Sequence, residues 1–220
     1  MKVAVIDYGM GNLKSVRNGF RAVGVDPPVI SRPEDVRRAE AVVLPGVGAF
    51  RDCMENLRAA GLTEAVLEAI RAGKPFLGIC LGLQVLFEKS REFGESEGLG
   101  WFGGEVVPFP ESMKNGGVNR LKIPHMGWNQ VRPEGSGEIP FLKDVADGAD
   151  GADGAWLYFV HSYYVAPADE GIIATRTDYG IPFVSSVYRD NVFACQFHPE
   201  RSGPLGLKIL RNFVEWAKKV

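Results

Sequence analysis

The stretch KPFLGICLGLQVLFE (residues 74–88) decides how this chain is read. Its apolar run is interrupted by Gly78 and Gly82, placed symmetrically about Cys80. Glycine weakens a strand interior and a helix interior alike, so two of them here mark a place where backbone passes close to backbone. The pattern predicts a buried strand through Pro75, Phe76, Leu77, Gly78 and Ile79 that runs into Cys80 and bends there into a helix.

Outward from that corner the first half of the chain alternates. KVAVID (2–7) is a short apolar strand, followed by glycines and by NLKSVRNGFRAVG (12–24), where Leu13, Val16, Phe20 and Val23 recur at helical spacing. Ala41, Val42, Val43 and Leu44 form the next strand, broken at once by Pro45, Gly46, Val47 and Gly48. Met54, Leu57, Ala60, Val66 and Ile70 carry a second helical pattern, interrupted at Gly61. Buried strands separated by amphipathic helices imply a parallel sheet with right-handed crossovers.

The second half is richer in strands. GEVVPF (104–109), MGWNQV (126–131), AWLYFVHSYYV (155–165) and GIIATRT (171–177) are strand-like, and IPFVSSVYRDNVFACQF (181–197) reads as a hairpin around Arg189, Asp190 and Asn191. GPLGLKILRNFVEWAKK (203–219) closes the chain as a helix with Leu207, Leu210, Phe213, Val214 and Ala217 on one face. The expectation is a single α/β domain over residues 1–220, with a mainly parallel sheet flanked by helices and antiparallel strands in the C-terminal half. DGADGADGA (147–155) cannot build a core and reads as a surface loop; a calcium loop of the EF-hand kind would need a closing glutamate that is missing.

Composition narrows the function classes. In 220 residues, 45% are hydrophobic and 24% charged, with a formal net charge of −2. That is an ordinary globular balance, with no electrostatic reason to expect nucleic acid or an anionic membrane. No apolar run approaches the ~20 residues of a membrane helix. Cys53, Cys80 and Cys195 make no disulfide framework, which points to a reducing compartment, the cytoplasm. Gly9, Met10 and Gly11 suggest a dinucleotide loop, but Lys14 stands where the third glycine belongs. There is no P-loop and no zinc spacing, so neither a cofactor nor a metal is expected.

Chemistry concentrates at Cys80. A nucleophile on a sharp strand-to-helix turn is the elbow of α/β hydrolytic enzymes, with cysteine in place of serine. A helix N-terminus there favours the thiolate, and the Leu81 N–H points where an oxyanion forms. The competing reading is a structural cysteine at a glycine-assisted turn. Cys53 and Cys195 lack such a setting and are assigned to packing. Of three histidines, His198 follows a strand and is trailed by Glu200; in extended chain, residues two apart share a face, so Glu200 can orient the imidazole. His125 and His161 are read as hydrogen-bonding or surface residues. Gly46, Val47 and Gly48 can turn a second N–H toward the site, or can form a plain turn; both readings stand.

These residues together resemble a class I, triad-type glutamine amidotransferase, and within that class the glutaminase subunits of imidazole glycerol phosphate synthase, an enzyme of histidine biosynthesis. The resemblance spans nearly the whole chain. It includes LPGVGAF (44–50), FVHSYY (159–164) and FHPERSG (197–203); GICLGLQ (78–84) and FHPE (197–200) mark the class, and DYGMGN (7–12), PHMGWN (124–129) and HPERSG (198–203) mark the subunit. Leu83 stands where many class I relatives carry histidine, which fits this subunit type, and DGADGADGA departs from the family pattern.

The resemblance implies a Cys80, His198, Glu200 triad, with an oxyanion hole from Leu81 and the loop of Gly46, Val47 and Gly48. It implies glutamine held by Gln84 and Glu92, with His161, Ser162 and Tyr163 also substrate-binding. It implies a partner, a (β/α)₈-barrel cyclase in a heterodimer, that takes up the ammonia and makes imidazole glycerol phosphate and AICAR. Met126 and Trp128 are candidates for the docking surface, although Trp128 also reads as a core residue. A glutaminase of another synthase, a freestanding γ-glutamyl hydrolase and a non-catalytic stabilising subunit remain as alternatives.

Overall fold

The computed structural model describes residues 2–115, 121–134, 139–145 and 154–219. The tract DGADGADGA lies outside them except for Gly154 and Ala155. The first half is built from β1 (Val3–Ile6), α1 (Leu13–Ala22), β2 (Val29–Ile30), α2 (Pro33–Arg38), β3 (Ala41–Gly46), α3 (Phe50–Ala59), α4 (Leu62–Arg71), β4 (Phe76–Cys80) and a single helical turn, α5 (Leu81–Gln84). The expected break at Gly61 is the α3–α4 junction, where that glycine takes φ 67°. Neither β2 nor α2 was anticipated; both are too short for a period to show. α2 starts on Pro33, with acids in its first turn and arginines in its last.

The second half comprises β5 (Phe87–Ser90), β6 (Ser96–Glu97), β7 (Phe102–Pro108), α6 (Ser112–Asn115), β8 (His125–Pro133), β9 (Ala155–His161), β10 (Tyr163–Pro167), β11 (Ile173–Asp178), β12 (Pro182–Arg189), β13 (Val192–Cys195) and α7 (Gly203–Ala217). The sheet is mixed. Its order is β2-β1-β3-β4-β13-β12-β10-β7-β5-β6, parallel from β2 through β13 and antiparallel beyond, apart from β5 against β7. β11 pairs β12, and β8 and β9 extend from it as an antiparallel ribbon. The single strand expected over 155–165 is two, β9 and β10, which break at Ser162 and pair with different neighbours.

Both faces of the parallel strands are covered. Ala4, Ile6, Val42, Leu44 and Phe76 pack on the side of α2, α3 and α4. Val3, Val5, Val43, Leu77 and Ile79 pack with Phe20 of α1 and with Ile209, Leu210 and Phe213 of α7. Strands buried on both sides have no polar-out alternation, which is why they read as continuous apolar runs.

The glycines of the corner are explained by proximity. β4 lies between β3 and β13, and α5 folds back over their ends. A Cβ at Gly82 would stand 1.9 Å from the Leu44 carbonyl oxygen, and one at Gly78 would stand 2.6 Å from the Gly82 oxygen. Both obstacles are backbone, which cannot rotate aside as a side chain can. Gly82→Ala is therefore expected to cost roughly 1–3 kcal/mol of unfolding free energy, read as a lower denaturant midpoint at constant m-value. A midpoint equal to that of the unsubstituted protein would show slack at this corner.

Candidate active site

Cys80 ends β4 and caps α5 with φ 55° and ψ −106°, a backbone conformation that a residue with a Cβ rarely takes. The turn aims its side chain out of the sheet toward a cavity of about 230 Å³, below the ~300–1,000 Å³ usual for drug-sized ligands. Cys80 is 6% exposed, and its sulfur accepts from Gln196 Nε2 at 3.5 Å. The helix after it is only one turn, all four residues buried. It presents Leu81 at the cavity wall, and the helix N-terminus expected at Cys80 is that of one turn, with a correspondingly small dipole.

His198 lies three residues beyond β13, its N–H bonded to the Tyr158 carbonyl at 2.9 Å. Residues Pro199–Arg201 form a 3-10 turn that carries Glu200 back, so that His198 Nδ1 and Glu200 Oε1 are 2.8 Å apart. The pair therefore meets through a tight turn and not, as expected, along extended chain. Their side chains are 4% and 2% exposed, and His198 Nε2 has no hydrogen-bond partner among the described residues. Burial pulls the imidazole toward neutrality; the neighbouring Cys80 sulfur and the Glu200 carboxylate outweigh it and raise the pKa to about 10. The ring is thus an imidazolium at neutral pH, a group able to give a proton from Nε2.

The cavity wall gathers most of the remaining candidates: Val47, Gly48, Gln84, Glu92, His161, Ser162 and Tyr163, with Pro124 and Val160. Gly46 is not on that wall; it ends β3 in register with Cys80, and a Cβ there would meet the Tyr8 hydroxyl at 2.4 Å. Gln84 Nε2 donates to the Tyr163 carbonyl at 3.1 Å and to Gln196 Oε1 at 2.9 Å. Glu92 accepts from the Phe50 N–H at 2.6 Å at the start of α3; burial raises its pKa, against that bond. Gln196 was missed by sequence reasoning. The available signal was a lone amide in the apolar run FACQF (193–197), and it is wholly buried.

His125 and His161 are not surface residues; they are 3% and 6% exposed. His161 Nδ1 faces the Tyr163 carbonyl at 2.8 Å, so it carries a hydrogen and leaves Nε2 as an acceptor. His125 Nδ1 then donates to it at 2.9 Å, and Asn129 Nδ2 donates to His125 Nε2 at 3.2 Å. Burial pushes the pKa of His125 down to about 4 and that of His161 to about 3. Met126 and Trp128 lie away from the cavity, 62% and 52% exposed, which excludes the core reading of Trp128. Trp156, 54% exposed, belongs to the same surface: Gln130 faces Trp156 and Trp128 faces Tyr158 across the β8–β9 ribbon, so all share one face.

Known proteins match along nearly the whole chain. The family described as "Glutamine amidotransferase class-I" matches residues 4–216. The imidazole glycerol phosphate synthase subunit HisH of Geobacter sulfurreducens is 51% identical over 218 residues, covering 97% of this chain and 98% of that protein. HisH of Aquifex aeolicus is 49% identical over 221 residues, covering 100% and 99%. The solved structure of PurLQS from Thermotoga maritima covers 98% of this chain and 98% of its own, with a TM-score of 0.72 at 16% identity, a likeness of fold.

The depressed histidines set a pH dependence. In the unfolded chain both titrate near 6.5, whereas the folded protein keeps them neutral to about 4 and about 3. Below pH 6.5 the unfolded state binds protons that the folded state refuses. The stability is therefore full above that pH and drains as pH falls, by up to about 1.4 kcal/mol per unit for each histidine. Unfolding midpoints measured from pH 6.5 to 5, below the window in which His198 contributes with the opposite sign, should decline, and less steeply in His125→Gln; identical slopes in the two proteins would refute this assignment.

Proposed function

The chain belongs to the class-I glutamine amidotransferase family, and on that premise we propose that it is the glutaminase subunit of an imidazole glycerol phosphate synthase. The observation that carries the reading is the Cys80 corner, with His198 Nε2 unpartnered and its Nδ1 held by Glu200. Cys80 Sγ attacks the carboxamide carbon of glutamine, and the Leu81 N–H together with an N–H of the loop of Gly46, Val47 and Gly48 receives the oxyanion. As the tetrahedral intermediate collapses, the C–N bond breaks, His198 gives its proton to the departing nitrogen, and ammonia leaves with a thioester behind. Neutral His198 then takes a proton from water. The water adds to the thioester, glutamate departs, and the thiolate–imidazolium pair returns. Glu200 holds the ring in one orientation and stabilises its charge throughout.

Gln84, Glu92, His161, Ser162 and Tyr163 surround the glutamine in this reading, with the Glu92 carboxylate the natural counter-charge for its ammonium group. No cofactor enters the reaction. Ammonia released into neutral water becomes ammonium and loses its nucleophilic lone pair, so a partner must take it up directly. That partner is a cyclase subunit of (β/α)₈-barrel form, in a heterodimer, which makes imidazole glycerol phosphate and AICAR for histidine biosynthesis. Among the described residues no helix is long and apolar enough to cross a membrane, and the proposed setting is the cytoplasm, without nucleic acid or membrane partners.

The exposed Met126, Trp128 and Trp156 form an aromatic and methionine surface of the kind enriched at interfaces, bordered by Arg201 stacked 4.2 Å over Tyr158. The glycine loop is the switch in this reading: a hole with one donor turned away loses ~10²–10³ in rate.

Glutamate release is expected to be slow from the isolated chain and ~10²–10³-fold faster with the cyclase and its nucleotide substrate, with Cys80→Ala inactive in every mixture. Full activity from the isolated chain would instead point to a freestanding hydrolase. Trp128→Ala should weaken binding to the cyclase by at least about tenfold in titration calorimetry, as truncation of a buried interface tryptophan does. An unchanged affinity would remove Trp128 from the docking surface.

A further inference from the structure

DYGMGN (7–12) takes no part in the mechanism above, yet it underlies the glycine loop. The segment is a compact strand-to-helix turn. Asp7 Oδ1 accepts from the Gly9 N–H at 2.9 Å, Gly9 and Gly11 take φ 85° and 118°, and Asn12 Oδ1 caps α1 by accepting from the Ser15 N–H at 3.2 Å. This fold turns Tyr8 and Met10 onto the end of β3. The buried Tyr8 hydroxyl donates to the Pro45 carbonyl at 2.9 Å and accepts from the Cys53 thiol at 3.3 Å. The Met10 methyl stands 2.6 Å from where a Cβ of Gly48 would be. Burial pushes the Tyr8 hydroxyl and the Cys53 thiol upward, the latter to about 12, so both keep their protons and the chain of bonds runs in one direction, from Cys53 to Tyr8 to Pro45.

The loop is therefore tethered at two points. Tyr8 holds it at Pro45, and Glu92 holds it at the Phe50 N–H, with four residues between. A peptide is planar, so fixing the Pro45 carbonyl fixes the Pro45–Gly46 unit as a whole and confines rotation to the peptides that follow. Gly46 is what permits this approach, because any side chain there would strike the Tyr8 hydroxyl.

We propose that Tyr8 is a positioning residue for the oxyanion loop: its hydroxyl, backed by Cys53, locks the Pro45–Gly46 peptide so that the next N–H groups can meet the developing oxyanion. The inference rests on the amidotransferase reading and adds to it a residue outside the cavity wall. Tyr8 touches no reacting atom, so removing its hydroxyl should change transition-state stabilisation and leave substrate binding and the nucleophile alone.

The test is Tyr8→Phe, which keeps the ring in the core, measured in the full chain with its cyclase subunit under stimulated conditions. The expected result is a kcat for glutamine about three- to tenfold lower, the effect of losing one net hydrogen bond, with KM within twofold and an unchanged rate of Cys80 alkylation by iodoacetamide. A wild-type kcat would overturn the proposal. So would a parallel fall in kcat, alkylation rate and unfolding midpoint, because that pattern marks general loosening. Cys80→Ala run alongside separates the two levels. Turnover that survives in Cys80→Ala refutes the amidotransferase reading itself, whereas a dead Cys80→Ala with a fully active Tyr8→Phe refutes only the role of Tyr8.

Discussion

The corner at Cys80 is the constraint on which the rest of the architecture depends. A residue with a Cβ at φ 55° and ψ −106° is strained, and such a conformation lasts only where its surroundings over-determine it. Here β4 is bonded on one side to β3 and on the other to β13, and all of α5 is buried against their ends. Two absent side chains, at Gly78 and Gly82, let the backbone fold back on itself. The neighbours then follow. β3 ends beside Cys80 and launches the glycine loop, β13 ends beside it and launches His198, and the break between β9 and β10 places His161, Ser162 and Tyr163 on the facing wall.

Three buried histidines within this framework show how burial alone fails to set charge. His198 is drawn to a pKa of about 10 because a carboxylate bonds one nitrogen and a sulfur able to carry negative charge lies beyond the other. His125 and His161 are comparably enclosed but hydrogen-bond only neutral groups, an amide, a carbonyl and each other, and the charge of His198 pushes His161 further down. They stay neutral, and their tautomers are dictated by the direction of the donor chain from Asn129 to Tyr163. Desolvation acts on all three in the same sense; the partner decides which one it defeats.

Much of this was legible from short-range pattern. The strands through Leu44 and Ile79, the helix break at Gly61, the hairpin at Arg189–Asn191 and the final helix all announced themselves through apolar period or a turn residue, although β3 runs on past the expected break to Gly46. What escaped was either too short or too distant. β2, β5 and β6 hold two to four residues each and owe their existence to neighbours in the sheet, and α2, of six residues, packs against α4. Ser162 divides one apolar run into two strands because the two halves find different partners, and nothing in AWLYFVHSYYV marks where the exchange occurs.

The sequence by itself determined the nature of the corner: glycines on either side of a cysteine, between a buried strand and a helix, leave little else to build. It also determined the family, through motifs whose residue types are demanded by covalent and hydrogen-bonding chemistry. Only the tertiary structure decided how the groups act on one another. Glu200 reaches His198 through a 3-10 turn and not along a strand, Gln196 approaches the sulfur, Tyr8 grips Pro45 across 37 residues, and Trp128 points outward. The physical reason is range. Backbone preference and apolar period act between near neighbours in the chain, whereas burial, tautomer and charge depend on atoms brought within a few ångströms by the fold.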